Sequence, residues 1–177
     1  YYLSFDGGPK RPDPVSRFQP HGVHGPSQIV ADDFVWTDSL WQGVARESLV
    51  IYELHIGTFT ESGTFRGASE RLDELVDLGV TAIELMPLAD CPGRWNWGYD
   101  GVCLFAPNRN YGTPDDLKFL IDTAHAKGLS VFLDVVYNHT AEGGDKGQLL
   151  SFKGFDNSAS YLFEANEYGA IDYQNYS

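Results

Sequence analysis

Three apolar runs separated by two stretches of helical periodicity organise residues 49–136. Leu49-Val50-Ile51-Tyr52-Glu53-Leu54-His55 reads as a strand, Val80 to Leu85 as a second that Pro87 stops, and Leu129 to Val136 as a third. Between the first two, Thr64 to Leu78 puts Phe65, Ala68, Leu72, Leu75 and Val76 on one face. Arg66, Glu70, Asp73, Glu74 and Asp77 fall opposite, which predicts one amphipathic helix closed by Gly79. A second helix opens on Thr113 as cap, with Pro114 in the first turn and Asp115 and Asp116 at the positive end of its dipole. It buries Leu117, Leu120, Ile121 and Ala124 and stops at Gly128. The order is β-α-β-α-β. Continuous apolar strands joined by helices run parallel and are buried, so the predicted class is α/β.

The flanks carry weaker patterns. Tyr1 to Phe5 looks like a short strand ended by Asp6-Gly7-Gly8-Pro9, and the prolines between 12 and 26 make regular structure unfavourable. Residues 6–48 therefore read as an irregular linker packed by Phe18, Phe34, Trp36 and Trp41. Residues 88–112 read as a long loop after strand two. After His139 the pattern dissolves into a Gly-, Asn-, Ser- and Tyr-rich tract, with a short helix expected near Ser158–Phe163.

Composition narrows the partners. The chain has 177 residues, a net charge of −13 and 42 % hydrophobic residues, with no apolar run long enough to span a membrane. Nucleic acid and anionic membranes require basic patches, so neither is expected as a partner. Cys91 and Cys103 read as two reduced thiols, and no zinc-type spacing accompanies them. The chain begins Tyr1-Tyr2-Leu3, without an initiator methionine or signal-peptide pattern, so the N-terminus of the whole protein is expected elsewhere.

Candidate chemistry gathers after the strands: His55 and Gly57 after the first, Trp95, Trp97, Tyr99, Asp100 and Tyr111 after the second, Asn138 and His139 after the third. The helix-exit turns are minimal. In βα folds the strand-exit face builds the site. Aromatic rings beside carboxylate, amide and imidazole groups suit a sugar: rings cover the C–H face of a pyranose and polar groups take its hydroxyls. Structural alternatives stand beside this reading. The Trp95/Trp97/Tyr99 cluster could plug a long loop, Asp134 could anchor a neighbouring Arg from mid-strand, and His55 could be a hydrogen-bonded core histidine. His21, His24 and His125 read as structural or solvated. HIGTFTESGTF after strand one is neither GxGxxG nor a P-loop, and neither HExxH nor GxSxG occurs.

DVVYNH (Asp134–His139) resembles the first signature region of the α-amylase family of glycoside hydrolases. WGYDG (Trp97–Gly101), FAPNRNYGTPDDLK (Phe105–Lys118) and IYELHIGTFTESGTF (Ile51–Phe65) resemble strands and loops of its branching and trehalose-releasing members. PDPVSRFQPHGVHGPSQIV (Pro12–Val30) resembles the linker from an N-terminal β-sandwich in maltooligosyltrehalose trehalohydrolases, with 1,4-α-glucan branching enzymes next. LLSFKGFDNSASYLF (Leu149–Phe163) looks more like isoamylase and glycogen-debranching members.

The resemblance implies the N-terminal part of a (β/α)8 TIM barrel, about three β/α units. Residues 1–48 would be the end of a β-sandwich domain and linker, and 49–177 a partial barrel. It implies a cytoplasmic enzyme that hydrolyses the α-1,4 bond next to trehalose in maltooligosyltrehalose by a retaining mechanism, on that substrate or another α-1,4-glucan. A branching or debranching enzyme, or a non-catalytic carbohydrate-binding scaffold, are the alternatives. The family's catalytic carboxylates sit on later strands in motifs such as Gly-Phe-Arg-x-Asp, which does not occur here, so no catalytic residue is expected in this chain. Substrate binding would fall to Trp97, Tyr99, Asp100 and His139: Tyr99 stacks under the sugar, His139 bonds its hydroxymethyl group, and Asp100 contacts the next sugar or orients the tyrosine. Asp134 would support the site by pairing an arginine near the nucleophile. Asn138 would support it too. It matches a calcium ligand of many amylases, but the further oxygens such a site needs are not recognisable, so neither metal nor cofactor is expected. A polypeptide confined to these residues would leave open sheet edges and is expected to be marginal or to self-associate.

Overall fold

A computed structural model describes residues 1–141 together with 164–165, 168–169 and 171–172. Its centre is a three-stranded parallel sheet of β1 (Ile51–Leu54), β2 (Ala82–Leu85) and a later strand, Ser130–Leu133. The order is first, second, last, with β2 in the middle. Leu54 pairs with Leu85 and Leu85 with Leu133; Glu53, Glu84 and Phe132 stand side by side in the same register.

Side chains alternate across a strand, so one face of this sheet carries Leu54, Ile83 and Leu85, all nearly fully buried. They pack against Phe65, Ala68, Leu72 and Leu75 from the helices and Leu120 and Ala124 from the helix before the last strand. Each large side chain removed from water here stabilises by roughly 1.5–3 kcal/mol. The expectation that the strands are buried throughout does not hold for this chain: Ile51 is 51 % and Leu133 51 % exposed. Among the described residues, the two outer strands have a neighbour on one side only.

The single helix expected over Thr64–Leu78 is two. Following the four-residue α1 (Ile56–Phe59), α2 covers Phe65–Glu70 and α3 covers Leu72–Asp77, with Arg71 at φ −106°, ψ 2° between them. Thr64 caps α2 by accepting from Gly67 N. One irregular residue leaves the buried stripe intact from Phe65 to Leu75, although Val76 turns outward at 38 % exposure.

The loop expected over 88–112 contains an antiparallel pair, β3 (Ala89–Asp90) with β4 (Cys103–Pro107), irregular between Ala89 and Asp90. Val102, Cys103 and Ala106 pack with Val23 and Ala141, so the N-terminal segment covers this hairpin. Tyr1–Phe5 forms no strand beyond one bridge, Leu3 to Arg11. Of the aromatic side chains expected to pack the linker, Phe18 is buried, Phe34 and Trp41 are half-buried and Trp36 is exposed. Trp41 stacks on His125, which pairs with Asp38 at 2.7 Å.

Helix α4 (Pro114–Ala126) begins with the expected chemistry in full. Thr113 accepts from Asp116 N while the Asp116 carboxylate accepts from Thr113 N, a reciprocal capping box. Asp116 also accepts from Arg66 Nε at 2.6 Å, and Arg66 lies 3.7 Å over the Phe119 ring, so the cap ties α4 to α2. Burial acts to raise the Asp116 carboxyl, but its bonds to Arg66 and Thr113 outweigh that and hold it below the usual aspartate value. A depressed folded value contributes stability above the unfolded pKa of 3.8 and loses it as pH falls through the folded one. Asp116→Asn is therefore expected to cost about 1–2 kcal/mol at neutral pH, a typical cap loss. The deficit should shrink below that value, as urea titrations at both pH values would show.

The last parallel strand, β5 (Ser130–Leu133), ends before Asp134, which therefore lies at the strand exit rather than mid-strand. Its N–H still donates to Leu85 O at 2.9 Å. A short antiparallel pair, β6 (Glu164–Ala165) and β7 (Ile171–Asp172), completes the described elements. The helix expected near Ser158–Phe163 and the segment resembling isoamylases lie outside the described residues. Among the described residues, no helix is long and apolar enough to cross a membrane.

Candidate functional site

The exits of all three parallel strands meet at one end of the sheet. From β5, Asp134 accepts from the Tyr99 hydroxyl at 2.7 Å. His139 Nε2 lies 2.8 Å from Tyr99 O. A carbonyl only accepts, so Nε2 donates this hydrogen bond. Nδ1 is buried with no partner among the described residues. Tyr99, Asp134 and His139 thus form one hydrogen-bonded group built from two loops. Hydrogen bonding to Asp134, then burial, then the charges of Asp134, Glu53 and Glu84 raise the Tyr99 phenol above its ordinary value. It is a neutral donor throughout the physiological range.

The other expected residues sit around this group. Asp100 accepts from Asn96 Nδ2 at 3.1 Å. Trp97 is 76 % and Trp95 78 % exposed, so these rings do not plug the loop. Asn138 is exposed. Calcium takes six to eight oxygen ligands, and no group of three or more His, Cys, Asp or Glu side chains suited to a metal gathers among the described residues. No arginine bonds Asp134 among the described residues. Its partner here is Tyr99, and a carboxylate has further lone pairs to offer.

The aromatic loop is held by Asp90, Arg109 and Asn110, which sequence reasoning missed, together with His55 and Tyr111, which it places near the site. Arg109 donates to Cys91 O at 3.1 Å and Gly93 O at 3.0 Å, and pairs with the fully buried Asp90 at 2.7 Å. Asn110 Nδ2 reaches Gly93 O and Arg94 O. His55 Nε2 donates to Asn96 O at 2.8 Å, with the Tyr111 hydroxyl 3.1 Å from the same nitrogen. His55 is thus a hydrogen-bonded positioning group at the β1 exit. Burial pushes the Tyr111 phenol up to about 12. Gly98 has φ +108°, and a Cβ there would stand 2.2 Å from Pro87 O, so only glycine lets Trp97 and Tyr99 take these places. The Asn-Arg-Asn run at 108–110 is the one sequence signal that could have marked this anchoring. Both cysteines are free and buried beside it; Asn108 Nδ2 lies 3.3 Å from Cys91 Sγ, and burial pushes the Cys103 thiol up to about 12.

This arrangement can grip a polyhydroxylated ring, with imidazole, carboxylate and phenol groups beside the exposed aromatic rings. Residues 28–168 match the family model for the alpha amylase catalytic domain.

The chain belongs to the alpha-amylase family.

Its parallel sheet with covering helices is part of that family's (β/α)8 barrel. Among proteins of known activity, it is 53 % identical over 145 residues to the malto-oligosyltrehalose trehalohydrolase of Saccharolobus solfataricus, covering 82 % of this chain and 26 % of that protein. It is 51 % identical over 146 residues to the enzyme of the same name from Deinococcus radiodurans, covering 82 % and 24 %. The crystal structure of a Salmonella typhimurium protein assigned to the alpha amylases superposes with a TM-score of 0.76 at 50 % identity, covering 79 % of this chain and 24 % of that one. The alpha-amylase family chain thus spans about a quarter of the length of the relatives it matches.

Proposed function

We propose that the full-length protein hydrolyses the α-1,4 bond next to trehalose in maltooligosyltrehalose with retention, and that these residues supply part of the wall that grips the sugar. The identity to two malto-oligosyltrehalose trehalohydrolases over 82 % of the chain carries the substrate assignment. The Tyr99–Asp134–His139 group supports the grip: a ring for the pyranose face, with imidazole and carboxylate beside it for hydroxyls. Trp97 and Asp100 lie beside Tyr99 in the loop between β3 and β4, and Asn138 precedes His139 after β5. A retaining mechanism needs two carboxyl groups about 5–5.5 Å apart across the scissile bond, and those are assigned to later strands of the barrel.

The test is release of trehalose from maltooligosyltrehalose by the full-length protein, with glycogen as the competing substrate. Trehalose release is expected; its absence, with action on glycogen branches instead, overturns the assignment. The 177 residues alone are expected to be inactive and to self-associate through Val50, Ile51, Leu133 and Val135, each at least half exposed, which size-exclusion chromatography would show as a concentration-dependent shift.

A further inference from the structure

A cavity opens between the aromatic loop and the segment that follows α1. Its floor is the pair His55 and Tyr111, whose polar atoms are already engaged with each other and with Asn96 O. One wall is Glu61, Ser62 and Gly63; the other is Arg94, Trp95 and Asn96, with Asn110 at the base. The Arg94 guanidinium lies 5.0 Å over the Trp95 ring. Even with that neighbour, Trp95 remains 78 % exposed. A ring so exposed contributes little to the fold. Its apolar face gains most when another molecule covers it. Across the cavity, Glu61 is exposed and has no hydrogen-bond partner among the described residues.

Asn96 joins this cavity to the Tyr99 group. Its main-chain carbonyl closes the cavity floor, while its side chain bonds Asp100 and Gly98 N, the residues flanking Tyr99. One residue of the loop therefore belongs both to this cavity and to the surroundings of Tyr99. We infer that the Trp95–Glu61 cavity is a distal subsite for a further glucosyl unit of the same α-glucan, with Trp95 stacking on the pyranose and Glu61 accepting from its hydroxyls. This rests on the glucan reading above. The chemistry favours a neutral polyol: an exposed indole, a carboxylate acceptor and amide groups, in a protein of net charge −13 that disfavours anionic ligands.

Calorimetric titration of the full-length protein with maltotriose through maltoheptaose tests this, using Trp95→Ala, Glu61→Gln and, for reference, Tyr99→Ala. Trp95 and Glu61 are exposed, so their substitution leaves the fold in place. Trp95→Ala is expected to weaken the longer chains roughly tenfold and leave the shortest unchanged, raising KM without lowering kcat; Glu61→Gln should act in the same direction with a smaller effect. Unaltered binding by Trp95→Ala at every length, while Tyr99→Ala loses affinity, overturns the subsite and leaves the glucan reading standing. An equal loss at every length would put Trp95 at the cleavage subsite and overturn its distal placement. No binding of any length by the unaltered protein removes both readings together.

Discussion

Replacing Arg109 with methionine is expected to destabilise the fold by about 3–5 kcal/mol, the loss that follows when one partner of a buried ion pair is removed. Asp90 is fully buried, and its Oδ2 has no hydrogen-bond partner among the described residues. Its carboxyl is raised by burial against the pull of Arg109, which contributes both charge and hydrogen bonds. Without the guanidinium, only main-chain bonds from Arg109 and Cys91 oppose that burial among the described residues. A carboxyl with a raised folded value favours the folded state below the unfolded pKa of 3.8 and loses that contribution as pH climbs through the folded value. The Arg109→Met deficit should therefore be largest near neutrality and shrink in acid. Adding Asp90→Asn should recover much of it, because the stranded charge is gone. Guanidinium unfolding of the full-length variants measures both. A deficit that persists undiminished in the double variant would show that Arg109 acts through the loop carbonyls rather than through Asp90.

Truncating Tyr99 to alanine is expected to lower kcat/KM on maltooligosyltrehalose about a hundredfold, the scale on which misplacing a bound substrate is felt. The change removes the ring and leaves Asp134 without its donor. Tyr99→Phe keeps the ring and drops only the hydroxyl, so about tenfold is expected, with much of the loss in KM. The pH–rate profile should be the same in the phenylalanine variant as in the unaltered protein, because a phenol raised by Asp134 stays protonated across the working range. Steady-state kinetics across pH measures all of this, and full activity in Tyr99→Ala would remove the residue from the sugar wall.

The parallel sheet and α4 were legible because each rests on a local pattern strong enough to survive folding. Val131-Phe132-Leu133 pairs as an apolar strand should, and Thr113 with Asp116 closes a capping box that the sequence spells out. The break at Arg71 was not legible, since arginine is a good helix former and the buried face continues across it. The hairpin was absorbed into a loop because β4, Cys103–Pro107, pairs with a partner of two residues and does so irregularly. At the site, rings and polar residues could be read from their place after strands. Asp90, Arg109 and Asn110 could not, because their roles arise from main-chain groups 16 to 19 residues away.

Five main-chain oxygens along the aromatic segment, those of Cys91, Gly93, Arg94, Asn96 and Tyr99, are each held by a side chain from outside it. The segment has almost no regular structure of its own between β3 and β4, yet its path is determined throughout. The ordering entropy was lost when the chain folded, so an arriving oligosaccharide would not bear it again. Association should then be a single bimolecular phase in stopped-flow fluorescence, without the slower unimolecular step that a closing flap would add.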